Sequence, residues 1–202
     1  MPGLQPAIIV QGSRIRPVCR PALLRLLIFG FGAFLAASQV DAGEILVESP
    51  TLRAGEMVPR DYTPDGRNLS PPLKWKQLPE GTKEIAVVCA DFGAGNPPPW
   101  VHWLIYGIPG SAKELPAGLP IQPDEPMPPE LAGAKQGLNG WRLPFYRGPA
   151  PPAGKPHLYH FTVYALDQEL KLREARTRDE LLEARSGHII GQGDLVPIYE
   201  RF

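Results

Sequence analysis

The sequence predicts a mainly β domain in which two sheets pack as a sandwich, and three observations support this fold class. Five short runs are rich in β-branched and aromatic residues, which is typical of strands. Helical periodicity is confined to one stretch near the C-terminus. The 26 prolines cluster between the runs, where they exclude helix and central strand. A sheet with an apolar face buries it against another layer, so a sandwich is expected.

In chain order, the predicted strands are EILVES (44–49), EIAVVCAD (84–91), WVHWLIYGI (100–108), HLYHFTVYAL (157–166) and LVPIYERF (195–202). One short surface helix is expected in TRDELLEARSG (177–187), because Thr177 and Glu180 have the spacing of a capping box and Gly187 can end the helix. Residues 111–146 have little periodicity and many prolines. That segment is predicted to be a wrapped connection rather than a second domain.

Residues 1–42 are predicted to be a secretory signal peptide rather than part of the fold. Four arginines precede the apolar run LLIFGFGAFLAA (26–37), and a small-residue cleavage site ends at Ala42. The run is too short to span a bilayer as a finished helix, and an uncleaved membrane anchor is the alternative. Cleavage leaves residues 43–202 as one domain, which we expect in the periplasm or secreted, with no stable membrane insertion.

The charge balance and the cysteine count narrow the function classes. Removal of residues 1–42 takes four of the 21 basic residues and one of the 21 acidic residues, leaving 17 against 20 and a net charge near −3. This balance argues against a nucleic-acid binder, which needs a basic face. One cysteine, Cys89, remains, and a single thiol cannot form an internal disulfide. No cofactor and no metal site are predicted, because the histidine spacing is not diagnostic of one.

Alternation along the predicted strands assigns the polar side chains to faces. In WVHWLIYGIP, His102 and Trp103 fall on opposite faces. In HLYHFTVYAL, His157 shares a face with Tyr159, and His160 points the other way. The two histidines of that strand therefore cannot chelate one metal ion. Each of these residues, taken singly, also has an ordinary structural explanation, such as a core histidine or a surface imidazole.

Four stretches occur in an order that resembles the phosphatidylethanolamine-binding protein family, whose bacterial branch is often called Raf kinase inhibitor-like. They are YTPDGRNLSPPLKW (62–75), WVHWLIYGIP (100–109), GPAPPAGKPHLYHF (148–161) and GHIIGQGDLVPIYER (187–201). Together they extend over nearly all of the chain after Gly43. The resemblance implies a Greek-key β-sandwich with few peripheral helices and a small anion pocket at one end of the sandwich.

The resemblance also implies which residues form that pocket. In the family an aspartate, two histidines and a tyrosine surround a headgroup phosphate, and the matching positions here are Asp91, His102, His157 and Tyr159. The matching wall of the proline loop consists of Pro149, Pro151, Pro152 and Gly154. Imidazole and phenol groups can donate hydrogen bonds to phosphate oxygens, while the carboxylate would orient a histidine.

One motif departs from the family. Its Asp-Pro-Asp-Ala-Pro signature corresponds here to DFGAG (91–95), which keeps the first aspartate and loses the second together with both prolines. Glycines at positions 93 and 95 make this rim looser and less acidic, which leaves the choice of ligand open.

The function expected from these residues is non-enzymatic binding of a small phosphate-containing anion, or of a phospholipid headgroup, by an exported protein. Two alternatives of other classes stay open. The first is a hydrolase, with Cys89 or Ser70 as nucleophile or with Asp91, His102 and His157 acting with or without a metal. The second is a protein-interaction or inhibitor module, for which the proline segment QPDEPMPPE (122–130) is the cue.

Overall fold

The computed structural model describes residues 43–97, 99–122 and 125–202, so the predicted signal peptide lies outside the described residues. The strands in this part of the chain are β1 (Gly43–Glu44), β2 (Leu46–Glu48), β3 (Leu73–Lys76), β4 (Glu84–Asp91), β5 (Trp100–Pro109), β6 (Glu114–Leu115), β7 (Lys135–Gln136), β8 (His157–Leu166), β9 (Ile189–Leu195) and β10 (Ile198–Tyr199). The helix α1 covers Arg178–Ala184, and short 3-10 turns cover Arg60–Tyr62 and Pro129–Leu131. Within the described residues, no helix is long and apolar enough to cross a membrane.

The strands form two sheets, which confirms the mainly β fold class. The large sheet has the order β1-β9-β8-β4-β5-β7, with β10 also paired to β8, and the small sheet has the order β2-β3-β6. The central strand β4 is antiparallel to both β5 and β8, and each of its eight residues is buried. Because both faces of β4 are buried, its sequence is a continuous apolar run rather than an alternation of apolar and polar residues.

The hydrophobic core lies on both faces of the large sheet. On one face, the small sheet contributes Val47, Trp75 and Leu115 to a cluster that also contains Val87 and Val163 of the large sheet. On the opposite face, a second cluster is formed by Ala86, Val88, Ala90, Leu104, Tyr106 and Leu181 of α1. The helix is therefore peripheral, and the sandwich of two sheets forms the main core.

The first predicted strand is split between the two sheets. β1 pairs in parallel with β9 of the large sheet, and β2 pairs with β3 of the small sheet. Ile45 lies between them, is buried, and donates its N–H to Gln192 O at 2.9 Å. The chain thus crosses from one sheet to the other at a single residue, which an apolar run such as EILVES does not reveal.

The C-terminal prediction was wrong in its boundaries. The strand expected at 195–202 is replaced by β9, which ends at Leu195, and by the two-residue β10, with Pro197 between them. The glycines of IIGQGDL lower strand propensity, and this concealed β9 in the sequence. Close packing requires glycine in this strand, because a Cβ atom on Gly193 would collide with the backbone carbonyl of Ile45. The strands β3, β6 and β7 were also not predicted.

The helix α1 begins with the predicted capping box of Thr177 and Glu180. Thr177 Oγ1 accepts a hydrogen bond from Glu180 N at 3.3 Å, and Glu180 Oε2 accepts one from Thr177 N at 2.8 Å. The hydrogen bond from the Thr177 backbone, with a further one from Arg176, lowers the pKa of Glu180 to about 2. Gly187 follows the helix with φ of +80°, a conformation that glycine adopts at little cost.

Candidate functional site

One end of the large sheet brings together side chains from three neighbouring strands. Asp91, the last residue of β4, lies opposite Trp100 of β5 on one side and opposite Tyr159 of β8 on the other. Two residues earlier on β8, His157 begins the strand on the same face as Tyr159. The strand ends therefore position a carboxylate, an imidazole and a phenol at one edge of the sandwich.

Asp91 and His157 form a buried pair. Asp91 Oδ2 lies 2.6 Å from His157 Nδ1, and the aspartate side chain is 2% exposed. The second oxygen, Oδ1, accepts the N–H of Gly93 at 2.7 Å, so both oxygens have partners. The contact fixes the proton of His157 on Nδ1 and leaves Nε2 directed away from the carboxylate. A Cβ atom on Gly93 would lie 3.2 Å from Oδ1 and 3.5 Å from the imidazole, so a side chain would crowd this pair.

A β-bulge turns His102 toward this pair. Cys89 lies opposite Trp103, whereas Ala90 lies opposite Val101, so His102 is the extra residue on β5. Its ring stands edge-on to Tyr159 with the centroids 5.1 Å apart. Trp103 points into the core between the sheets, which is the same side as Tyr159 and therefore the same side as the His102 ring. The expectation that His102 and Trp103 occupy opposite faces was wrong, because regular alternation does not include the extra residue.

The backbone fixes the tautomer of His102. Nδ1 lies 2.8 Å from Arg147 O and 3.2 Å from Gly148 O. Carbonyl oxygens only accept hydrogen bonds, so Nδ1 carries the proton and Nε2 of the neutral ring presents a lone pair. Burial lowers the pKa of His102, and the hydrogen bond to the Arg147 carbonyl offsets that shift only in part. The carboxylate of Asp91 hydrogen-bonds to His157 rather than to His102.

Tyr159 has a buried hydroxyl group that no described residue engages in a well-formed hydrogen bond. The residue is 0% exposed, and the Asp91 carboxylate lies near enough to its Oη atom to interact with it. Burial, followed by the nearby charge of Asp91, raises the pKa of Tyr159 far above its usual value. A buried hydroxyl in a protein normally has a hydrogen-bond partner, which an ordered water molecule or a bound anion can supply here.

A loop that the sequence did not single out forms part of this site. Asn139 Oδ1 accepts the N–H groups of Trp141 and Leu143, and Asn139 Nδ2 donates to Phe145 O at 2.9 Å. This buried amide holds the Trp141 ring 5.2 Å from His102, and the Arg147 guanidinium lies 4.4 Å above the same ring. The Asn-Gly pair of LNGW was the available signal for an ordered turn.

The proline loop is anchored at both ends. At its start, Gly148 N donates to Asn68 Oδ1 at 2.9 Å, and Gly148 O accepts from His102. Pro149 and Pro151 are buried, whereas Pro152 is exposed. Gly154 lies at an exposed turn with φ of +85°, and its N–H donates to Arg201 O at 3.0 Å. The beginning of the loop thus contacts the site, while open space surrounds the position where a Gly154 side chain would lie.

The two residues considered as nucleophiles, and the remaining histidine of β8, lie where they support the fold rather than the site. Cys89 is fully buried, and burial raises the pKa of its thiol well above the usual value. Ser70 Oγ accepts the N–H of Leu119 at 2.8 Å. His160 lies on the opposite face, where its ring contacts Phe92 with the centroids 5.0 Å apart. Among the described residues, no group of three or more His, Cys, Asp or Glu side chains is placed to hold a metal ion.

Comparison with known proteins identifies the family. The family model described as phosphatidylethanolamine-binding protein matches residues 48–200, a range that contains the whole site. The chain belongs to the phosphatidylethanolamine-binding protein family. A UPF0098 protein of Methanothermobacter thermautotrophicus is 39% identical over 144 residues, which cover 71% of this chain and 91% of that protein. A UPF0098 protein of Pyrococcus abyssi is 35% identical over 182 residues, covering 89% and 96% of the two chains.

Two solved structures of phosphatidylethanolamine-binding proteins have the same architecture. E. coli YbcL, a member of the mammalian PEBP family, superposes with a TM-score of 0.72 at 30% identity, covering 79% of this chain and all of that one. The homolog CT736 from Chlamydia trachomatis gives a TM-score of 0.69 at 29% identity, covering 80% and 100%. The β-sandwich described above is therefore the fold of this family.

Proposed function

We propose that this protein is an exported, non-catalytic binding protein for a small phosphate-containing anion. Members of the phosphatidylethanolamine-binding protein family are generally binding proteins rather than enzymes. The name of the family refers to a phosphate-containing molecule, and a phosphate-containing anion is proposed here as the ligand of the site at Asp91, His102, His157 and Tyr159. The predicted signal peptide is the basis for export to the periplasm or the exterior.

The observation that best supports this proposal is the unmatched hydroxyl of Tyr159 beside two imidazoles whose Nδ1 atoms are already hydrogen-bonded. The hydroxyl can donate to a phosphate oxygen without further rearrangement. His157 Nε2 can donate only when its ring carries a second proton, because Nδ1 already holds the first one against Asp91. The site therefore offers a small anion the tyrosine hydroxyl as a donor, and it gains further donors when an imidazole carries a second proton.

The hydrolase alternative receives less support from the geometry. Cys89 lies inside the core with a raised thiol pKa, which keeps it in the unreactive thiol form. Ser70 holds a backbone N–H of a remote loop rather than contacting a histidine. An enzyme of this class needs its nucleophile within hydrogen-bond reach of a base.

Calorimetric titration of residues 43–202 with inorganic phosphate tests the proposal. We expect His157→Ala to weaken binding by about tenfold to a hundredfold, because a charge-assisted hydrogen bond contributes about 1.5–3 kcal/mol. His160→Ala is the matched control, since His160 lies on the same strand but on the opposite face. It should leave the affinity almost unchanged. Equal losses in the two variants, or no binding by the unmodified chain, would contradict the proposal.

The same titration has a defined pH dependence. Donation from Nε2 of His102 requires a second proton on the ring, and burial lowers the pKa of that ring in the free protein. Proton uptake on binding is therefore favoured at low pH and becomes unfavourable as the pH rises. Between about pH 6 and pH 8 we expect the affinity for sulfate, a phosphate analogue whose charge is constant in this range, to fall as the proton on His102 becomes harder to supply. Affinity that increases with pH would rule out this donor chemistry.

A further inference from the structure

The four residues at the centre of the site supply no net positive charge. Asp91 carries one negative charge, which a protonated His157 at most balances across their 2.6 Å contact. His102 is neutral because burial lowers its pKa, and Tyr159 is neutral because burial raises its pKa. A dianion at this position therefore needs a further cation nearby for charge balance.

Arg147 is the cation that lies against this group. Its backbone N–H donates to His102 O at 3.1 Å, and its carbonyl accepts from His102 Nδ1 at 2.8 Å. Its guanidinium lies 4.4 Å above the Trp141 ring, and that ring lies 5.2 Å from the His102 ring. Arg147 is thus fixed beside His102 through its backbone, while its side chain rests on an aromatic surface at the edge of the site.

The guanidinium of Arg147 is available to a ligand. Within the part of the chain that the structure describes, it forms no ion pair with a carboxylate and donates no hydrogen bond. Arg201, by contrast, is bound to Asp65 through two hydrogen bonds of 2.8 and 2.6 Å. A guanidinium stacked on an aromatic ring keeps its N–H donors in its own plane, where they can bind two oxygens of a phosphate at once.

We propose that Arg147 determines ligand specificity by selecting a terminal phosphate group, a phosphomonoester dianion, over a phosphodiester. This inference rests on the proposed anion-binding function. A monoester has three terminal oxygens and a charge near −2 at pH 7, so after binding at Tyr159 and His157 it would still have an oxygen and a negative charge to pair with Arg147. A diester has one charge and two terminal oxygens, so it gains less from a second cation. A phospholipid headgroup of the phosphatidylethanolamine type is a diester and is therefore the disfavoured ligand.

Calorimetry at pH 7 with two matched ligands tests this selectivity. Phosphoethanolamine is the monoester, and glycerophosphoethanolamine is the diester with the same amine. We expect the unmodified chain to prefer the monoester. Arg147→Gln should reduce monoester affinity by about tenfold to a hundredfold and change diester affinity by less than about twofold. Arg147→Lys should recover part of the loss, because it restores the charge but not the planar fork.

The control variant is Arg142→Asn. Arg142 is an exposed arginine in the same loop with φ of +64°, a backbone conformation that asparagine tolerates. It should leave both affinities unchanged. Retained diester binding by Arg147→Gln shows that the variant is folded and that its site is intact. Equal losses for both ligands, or a preference of the unmodified chain for the diester or for phosphatidylethanolamine vesicles, would overturn the selectivity. A chain that binds neither ligand would overturn the proposed function itself.

Discussion

Two buried tyrosines of the core differ in whether their hydroxyl groups are satisfied. Tyr146 Oη donates to Tyr62 O at 2.7 Å, whereas Tyr159 Oη has no partner among the described residues. A buried polar group without a hydrogen bond costs about 1–3 kcal/mol of stability. The Tyr159 hydroxyl therefore contributes less to the stability of the fold than the Tyr146 hydroxyl, and it stays free to bond to a ligand.

Tyr159→Phe should separate binding from stability. Removal of the unmatched hydroxyl should leave the free energy of unfolding unchanged or raise it by up to about 2 kcal/mol. The affinity for phosphate should fall about twofold to tenfold, because one neutral hydrogen bond is lost. Urea denaturation and calorimetric titration of the same preparation give both quantities.

Tyr146→Phe is the matched control for this experiment. It removes a satisfied hydroxyl, so we expect a loss of about 1–2 kcal/mol in unfolding free energy and little change in phosphate affinity. If Tyr159→Phe is the less stable of the two variants, its hydroxyl has a partner in the free protein, and the interpretation of the site fails.

The elements differ in how much of their structure the sequence reveals. β4 and β8 have the predicted bounds, because β-branched and aromatic residues filled them and no pairing irregularity changed their length. The capping box of α1 was likewise local, since its two partners lie three residues apart. The β-bulge at His102 could not be predicted, because a register shift depends on the strand that β5 pairs with. The glycines of β9 have their reason in contacts with a remote segment.

Acid should weaken α1 through its capping box. The folded protein holds the pKa of Glu180 at about 2, below the ordinary value of 4.5. The carboxylate therefore contributes stability above pH 4.5, and this contribution is lost as the pH falls toward 2. Glu180→Gln should be less stable than the unmodified chain at pH 7, and the difference should shrink on acidification. Thr177→Ala, which removes the other half of the box, should cost about 1 kcal/mol at pH 7. Thermal unfolding from pH 2 to pH 7 measures both effects, and a difference that grows in acid would contradict them.

At the scale of the whole molecule, the site depends on contacts between distant parts of the chain. Asp91 and His157 are separated by 66 positions, and His102 and Arg147 by 45. Resemblance to a family suggested four of the site residues in advance. Trp141 and Arg147 could not be found in that way, because they lie in an irregular loop whose position is determined by Asn139. The unmatched state of the Tyr159 hydroxyl likewise follows from packing and not from any local motif.

The proposed export makes a prediction about the finished chain. Val40 and Ala42 satisfy the preference for small residues at a signal-peptidase site, so we expect a mature N-terminus close to Gly43. Intact mass spectrometry of the protein recovered from the periplasm or the medium measures this directly. Ala42→Phe is the control, because a bulky side chain before the cleavage site should block processing. Recovery of the unmodified protein with residues 1–42 still attached would contradict export by cleavage.

The crossing of the chain at Ile45 has a consequence for the lifetime of such a protein. A chain that starts near Gly43 would have its terminal strand shared by both sheets, with β1 on β9 and β2 on β3. End strands of most domains can detach without disturbing the rest, and detached ends are where proteases begin to digest a chain. Here the terminal strand cannot detach without breaking its hydrogen bonds to both the large and the small sheet. Resistance to proteolysis would then follow the stability of the entire sandwich rather than the looseness of one terminus.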